Sequence, residues 1–134
     1  MKYLSVLLFA FIGMQCSPKL SPDHNWGDKN WVLVEMKGVP VQQSESRRDA
    51  SISFIISEKR FTGYGGCNEI NGKYILEKDK IHFTEVLVTK RSCNDIEFEN
   101  VFVTTLNDIE QYEERGNELL LKNYNGVMLV FRMR

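Results

Sequence analysis

From Asn30 onward the apolar residues recur mainly at every second position, the period of a half-buried strand. Trp31–Met36 opens the series. Residues 51–57 follow, with Ile52, Phe54 and Ile56 on one face, and residues 60–64 come after a turn at Glu58-Lys59. Between the first two, the polar stretch from Gln42 to Asp49 reads as an exposed loop. Residues 73–77 and 81–89 form a pair turned at Lys78-Asp79. Within 81–89 the phase slips: Ile81 and Phe83 share one face, Val86 and Val88 the other. A bulge near Thr84-Glu85 would return all four to one side. Residues 110–114, 118–122 and 127–133 close the series, the first pair turned at Arg115-Gly116-Asn117. Asn125-Gly126 predicts a type I′ hairpin between the last two, because both turn positions there need positive φ.

One segment has the helical period instead. Phe98, Val101, Phe102, Thr105, Leu106 and Ile109 follow steps of three and four, which predicts a helix over 96–106. Asn94 with Glu97 is a capping arrangement at its start. Val101, Val103, Thr104 and Thr105 are weak helix formers, so a buried face must hold this helix. The expected class is α+β, mainly β: a compact antiparallel meander sheet, partly closed and barrel-like, with one α-helix packed across it. A sheet of this kind must curl or be covered to bury its apolar face.

Before Asn30 neither period is present. Lys2 and the apolar run Leu4–Met14 read as an export signal over residues 1–15. The run is shorter than the roughly 20 residues a spanning helix needs. It ends at Gly13-Met14-Gln15-Cys16, which resembles a lipobox, where Cys16 receives a lipid and the leader is cut before it. Gly13 and Gln15 stand where such motifs usually have an aliphatic and a small residue; a cleaved signal with Cys16 left free is the alternative reading. Residues 16–29, with Pro18, Pro22 and His24, read as a flexible tether, His24 as a bystander, and residues 30–134 as the folded domain.

Composition changes this picture little. A chain of 134 residues is long enough for one core and too short for two. The net charge of −1 gives no pull toward nucleic acid or an anionic membrane, so no nucleic-acid partner is expected.

The segment Phe61–Tyr74 carries four glycines, at positions 63, 65, 66 and 72. A phosphate-cradling loop would need a helix N-terminus after it, and here loop and strand follow, so the glycines read as turns and bulges. Several motifs then fall in a set order. Trp31 and Leu33 precede Gly63-Tyr64-Gly65-Gly66-Cys67-Asn68 and Gly72-Lys73-Tyr74. Thr89-Lys90-Arg91-Ser92-Cys93 follows, then Glu99 with Phe102 and Leu106, then Leu119-Leu120-Leu121. In this order the chain resembles the META/HslJ family from about Asn30 to its end. The motif residues are Trp31, Gly63, Gly66, Cys67, Asn68, Gly72, Tyr74, Thr89 and Cys93.

The family includes a heat-inducible lipoprotein linked to antibiotic tolerance, so the resemblance implies a bacterial envelope protein associated with stress. Ser17 after Cys16 gives no reason for inner-membrane retention, so the outer membrane, on its periplasmic face, is the expected place. The resemblance implies no reaction. It also implies a disulfide between Cys67 and Cys93, one in each cysteine motif, formed in an oxidising compartment with Cys16 taken by the lipid. Such a bridge stabilises by about 3–4 kcal/mol in the chain-entropy model. Two reduced, buried thiols are the alternative.

Other chemistry at these residues is weaker. Cys67, Cys93 and His82 lack a short paired spacing, and a structural zinc site takes four ligands, so no metal is expected. Cys67 with His82 as base would make a nucleophile, but His82 points away from the face of Ile81 and Phe83 and reads as an exposed strand residue. Lys90-Arg91 beside Asp95, Glu97 and Glu99 reads as a solvated mixed-charge surface. Tyr64, Tyr74, Tyr112 and Tyr124 read as edge and corner residues of a small sheet rather than a binding face. The expectation is a non-enzymatic binding protein without cofactor. Its partners would be the membrane, through a lipid on Cys16, and an envelope protein. The alternative is a small-ligand carrier using the concave side of the sheet. A pocket lined by Tyr and Phe with convergent polar groups would favour the carrier, and a filled core with a flat apolar surface patch the protein partner.

Overall fold

The computed structural model describes residues 26–27, 29–42, 49–93 and 96–134. The export signal, Cys16, His24 and the tether through Asn25 lie outside the described residues, as do positions 43–48 of the loop and the Asn94 cap. The strands are β1 Trp31–Met36, β2 Ser51–Ile55, β3 Arg60–Tyr64, β4 Glu69–Glu77, β5 Lys80–Val88, β6 Gln111–Arg115, β7 Glu118–Asn123 and β8 Gly126–Met133. Each pairs antiparallel with the next, and β8 returns to β1, so the meander forms a ring. One helix, α1 Ile96–Asn107, lies between β5 and β6 in the chain.

The ring is unevenly joined. β5 and β6 meet in register only at Lys80 and Gln111. β1 and β2 meet only at Trp31–Ile52 and Val32–Ser51. After α1 the chain returns to the start of β5, where Ile81 N–H donates to the Glu110 carbonyl at 3.1 Å. The helix therefore runs back alongside β5, on the side that β6 leaves unpaired.

Alternate residues of the strands face inward, and they build the core. Leu33, Ile52, Phe61, Ile81, Leu119, Leu121, Leu129 and Phe131 are each fully buried. Phe61 meets Phe83 edge-on at 5.1 Å, and Phe54 meets Tyr74 edge-on at 5.2 Å. From the helix side Phe102 reaches Phe131 at 6.2 Å. Ile56 does not continue the inward face of β2. The chain leaves the strand there for a 3-10 turn, Ile56–Glu58, and Ile56 is exposed.

The helical stripe is also rotated from the expected one. Val101 is exposed, and the buried line is Glu99, Phe102 and Leu106, continued by Ile109 beyond the helix end. Steps of three and four are kept. A carboxyl group takes the place that apolarity alone would give to Val101.

The slip in β5 is a bulge. Asn71 pairs with Leu87 and Lys73 with Thr84, so Gly72 opposes both Glu85 and Val86, and Glu85 has φ of 52°. A Cβ on Gly72 would stand 2.7 Å from the Phe61 ring and 2.9 Å from the Thr84 carbonyl oxygen. Only glycine fits between the bulge and the core. The last hairpin departs from its predicted type. Among the described residues Asn125 does not have positive φ, whereas Gly126 does, at 99°. Asn123 Oδ1 accepts the Asn125 N–H at 2.8 Å, which holds the bend one residue earlier, at Tyr124-Asn125.

Trp26 corrects the domain boundary. It is fully buried, 4.9 Å from Phe54 and 4.6 Å from Tyr112, and Gly27 forms a bridge to Phe54. Residues 26–27 thus belong to the folded domain and not to the tether. A single aromatic anchor inside a polar stretch leaves no period to read.

A polar knot beneath the first turn of the helix

β3 and β4 are joined by a tight bend. Gly66, with φ of 106°, supplies its left-handed residue, and Gly65 N–H closes it on the Asn68 carbonyl at 2.8 Å. The first turn of α1 lies directly on this bend. A Cβ on Gly65 would stand 2.6 Å from Glu99 Oε2, and one on Gly66 3.1 Å from the Phe98 ring. The missing side chains let a carboxyl group reach the backbone.

Glu99 is 1% exposed and uses both oxygens. Oε2 accepts the Asn68 N–H at 2.5 Å and the Cys67 N–H at 3.2 Å. Oε1 accepts Asn68 Nδ2 at 2.7 Å. Asn68, 2% exposed, carries the network onward: its Oδ1 accepts the Arg91 N–H at 2.6 Å and the Thr89 hydroxyl at 3.4 Å. Thr89 in turn receives the Glu69 N–H on its hydroxyl at 3.1 Å and donates its own N–H to the Glu69 carbonyl at 3.0 Å. Cys67 and Cys93 are joined as a disulfide, with Cα atoms 6.0 Å apart, within the range such a link spans. Bend, helix start and the 89–93 segment are tied together by hydrogen bonds and one covalent link.

Of the motif residues, Gly66, Cys67, Asn68, Thr89 and Cys93 converge here. Gly63 lies in β3 opposite Ile52 and Ile70, where a Cβ would meet the Ser51 carbonyl oxygen at 2.1 Å. Gly72 serves the bulge, while Tyr74 and Trp31 lie buried in the core. Glu99 was expected on a solvated surface, and that expectation is corrected. The available signal was its place on the stripe, three residues before Phe102 and seven before Leu106. Its charge argued for solvent, but three donors on the bend supply the partners that burial demands.

His82 is exposed on β5 opposite Ile75, near the end of that strand remote from Cys67. The structure does not bring the two together. Among the described residues no cluster of three or more His, Cys, Asp or Glu is placed to hold a metal. The four tyrosines do not share a face. Tyr74 is a core residue rather than an edge one, and burial pushes its phenol above the ordinary value. Tyr112 donates its hydroxyl to the Lys78 carbonyl at 2.6 Å, and Tyr124 is exposed at a hairpin tip. Over the knot lies a groove of about 450 Å³ between α1 and residues 88–91, with Asn68 and Glu99 in its lining and Lys90 and Arg91 exposed at its rim.

Fold and knot together define a small β-ring domain crossed by one helix and linked through two cysteine motifs. The META domain family model matches residues 24–134, and the chain belongs to that family. Among solved structures it is similar to a protein from Burkholderia xenovorans determined by NMR. That match has a TM-score of 0.67 at 21% identity and covers 81% of this chain and 83% of the other. A DUF4847 family protein from Bacteroides vulgatus, solved by crystallography, matches with a TM-score of 0.56 at 16% identity, covering 81% and 94%. These likenesses show the fold alone. A comparison with curated proteins found no match.

Proposed function

We propose that this META-domain protein is exported, is held in the outer membrane by a lipid on Cys16 facing the periplasm, and acts there by binding rather than turnover. In this reading it helps the cell tolerate stress, such as heat or an antibiotic. The observation that carries the reading is the Cys67–Cys93 bridge, since a structural disulfide suits an oxidising compartment outside the cytosol. Two features support binding at the surface. The motif side chains of the knot are engaged with one another, which makes them a scaffold. The concave side that a carrier would use is occupied by Phe54, Phe61, Tyr74 and Phe83.

Cell fractionation with mass measurement tests the proposal. Cys16→Ser should move the protein from the membrane to the soluble envelope fraction and remove the lipid mass. Unchanged fractionation and unchanged mass would remove the lipoprotein reading.

A further inference from the structure

Among the described residues, the groove over the knot borders a strand edge that no other strand pairs. Thr89 turns its N–H and hydroxyl toward Glu69, and Arg91 turns its N–H toward Asn68. In an antiparallel ladder the intervening residues turn their backbone groups to the opposite side. Val88, the last residue of β5, therefore presents its groups toward α1, and Lys90 follows two positions beyond the strand end. Among the described residues no strand meets this edge, because β6 pairs with β5 only at Lys80. The facing wall is apolar where Ile96 and Val103 stand, and Ile96 is 40% exposed. At the rim, Lys90 and Arg91 are exposed, and neither has an ion pair among the described residues. Glu99, which lines the same groove, has both oxygens occupied by donors of the bend.

We propose that this groove binds an extended acidic segment of a partner protein as an added strand beside residues 88–90. The backbone edge supplies the pairing, Ile96 and Val103 receive apolar side chains of the segment, and Lys90 with Arg91 receive its carboxylates. The inference rests on the reading of the chain as a binding protein and not on its export or lipid.

Titration of isotope-labelled protein, with Cys67 and Cys93 intact, tests it by NMR. The probe is a capped peptide of sequence Glu-Val-Thr-Val-Asp. Its amide shifts should concentrate at Val88, Lys90 and Ile96, and added salt should weaken them. A Lys90→Glu/Arg91→Glu variant should bind at least tenfold more weakly, with its spectrum elsewhere unchanged because both side chains are exposed. On the ligand side, N-methylating the central peptide bonds should abolish binding without touching the protein. Three results would overturn the proposal: no shifts at these residues, equal binding of a peptide with lysines in place of the acids, or equal binding of the N-methylated peptide. Equal shifts from anionic lipid vesicles would reassign the groove to a membrane surface. Each of these outcomes is independent of where Cys16→Ser protein fractionates.

Discussion

Around Cys67 the ring is held by a buried polar network and a covalent link, whereas its other end, around Trp26, is filled by packed aromatic rings. The bridged end places two buried polar side chains, Asn68 and Glu99, among backbone donors. The aromatic end stacks Trp26 on Phe54 and Tyr112, with Tyr74 and Phe83 behind. Packing loses stability in proportion to the volume removed, since neighbours relax part of the way. A buried polar network behaves differently, because every donor left without its acceptor keeps its full desolvation cost. The two ends should therefore fail in distinguishable ways.

Large-to-small changes in the packing give the largest expected effect. Trp26→Ala should cost about 3–5 kcal/mol in denaturant unfolding. A change below about one kcal/mol would return residues 26–27 to the tether. Phe102→Ala should cost a similar ~3–5 kcal/mol by removing the helix side chain that packs on Phe131.

At the bridged end, replacing both cysteines by serine should cost about 3–4 kcal/mol. Mass spectrometry of the protein isolated without reductant should find one peptide pair linked through Cys67 and Cys93. Free thiols at both positions would defeat the bridge.

Glu99→Gln sharpens the contrast further. It swaps one acceptor for a donor that faces the donors of the bend, at a cost of about 2 kcal/mol. Amide exchange should speed up at Cys67 and Asn68 and stay unchanged at the strand ends near Trp26. Uniform acceleration would mean that the two ends are not separable.

The smallest effect lies away from both ends, on the exposed face of β6 and β7. Hydrogen bonds from Arg115 and then Lys122 hold the Glu113 carboxyl at about 2, below the ordinary 4.5. A depressed carboxyl stabilises fully above the ordinary value and loses that contribution as pH falls through the depressed one. NMR titration should place its midpoint near 2, and Glu113→Gln should flatten the stability change between about pH 4.5 and 2, by little because the site is open to solvent.

Much of the ring was readable because period two is a local signal. Every strand lies where alternation put one, although β4 begins earlier, at Glu69, and the phase slip at Thr84-Glu85 is a bulge. Three features were hidden, each for a physical reason. Trp26 is a lone anchor without periodic neighbours. Glu99 carries a charge that only its long-range donors, more than thirty positions away in the case of Cys67, make tolerable inside. The bend near Asn125 follows Asn123, whose side chain competes for the turn. Of the candidate site, the cysteines and Asn68 were visible as a motif, but the groove depends on where β6 leaves β5, which no local pattern encodes.

The closure of the ring by β8 also sets an order in time. Trp31 pairs with Met133 and Leu33 with Phe131, so β1 waits for a strand made long after it. Until β8 arrives, β1 offers an open edge, joined to β2 through only two register positions. Contacts so distant in sequence carry a loop-closure cost that local hairpins do not, and they slow folding accordingly. The chain can form its central hairpins early, while the step that turns an open sheet into a ring comes last. Interruption of synthesis before β8 would leave a folded-looking but unclosed sheet, exposed to pairing with its neighbours.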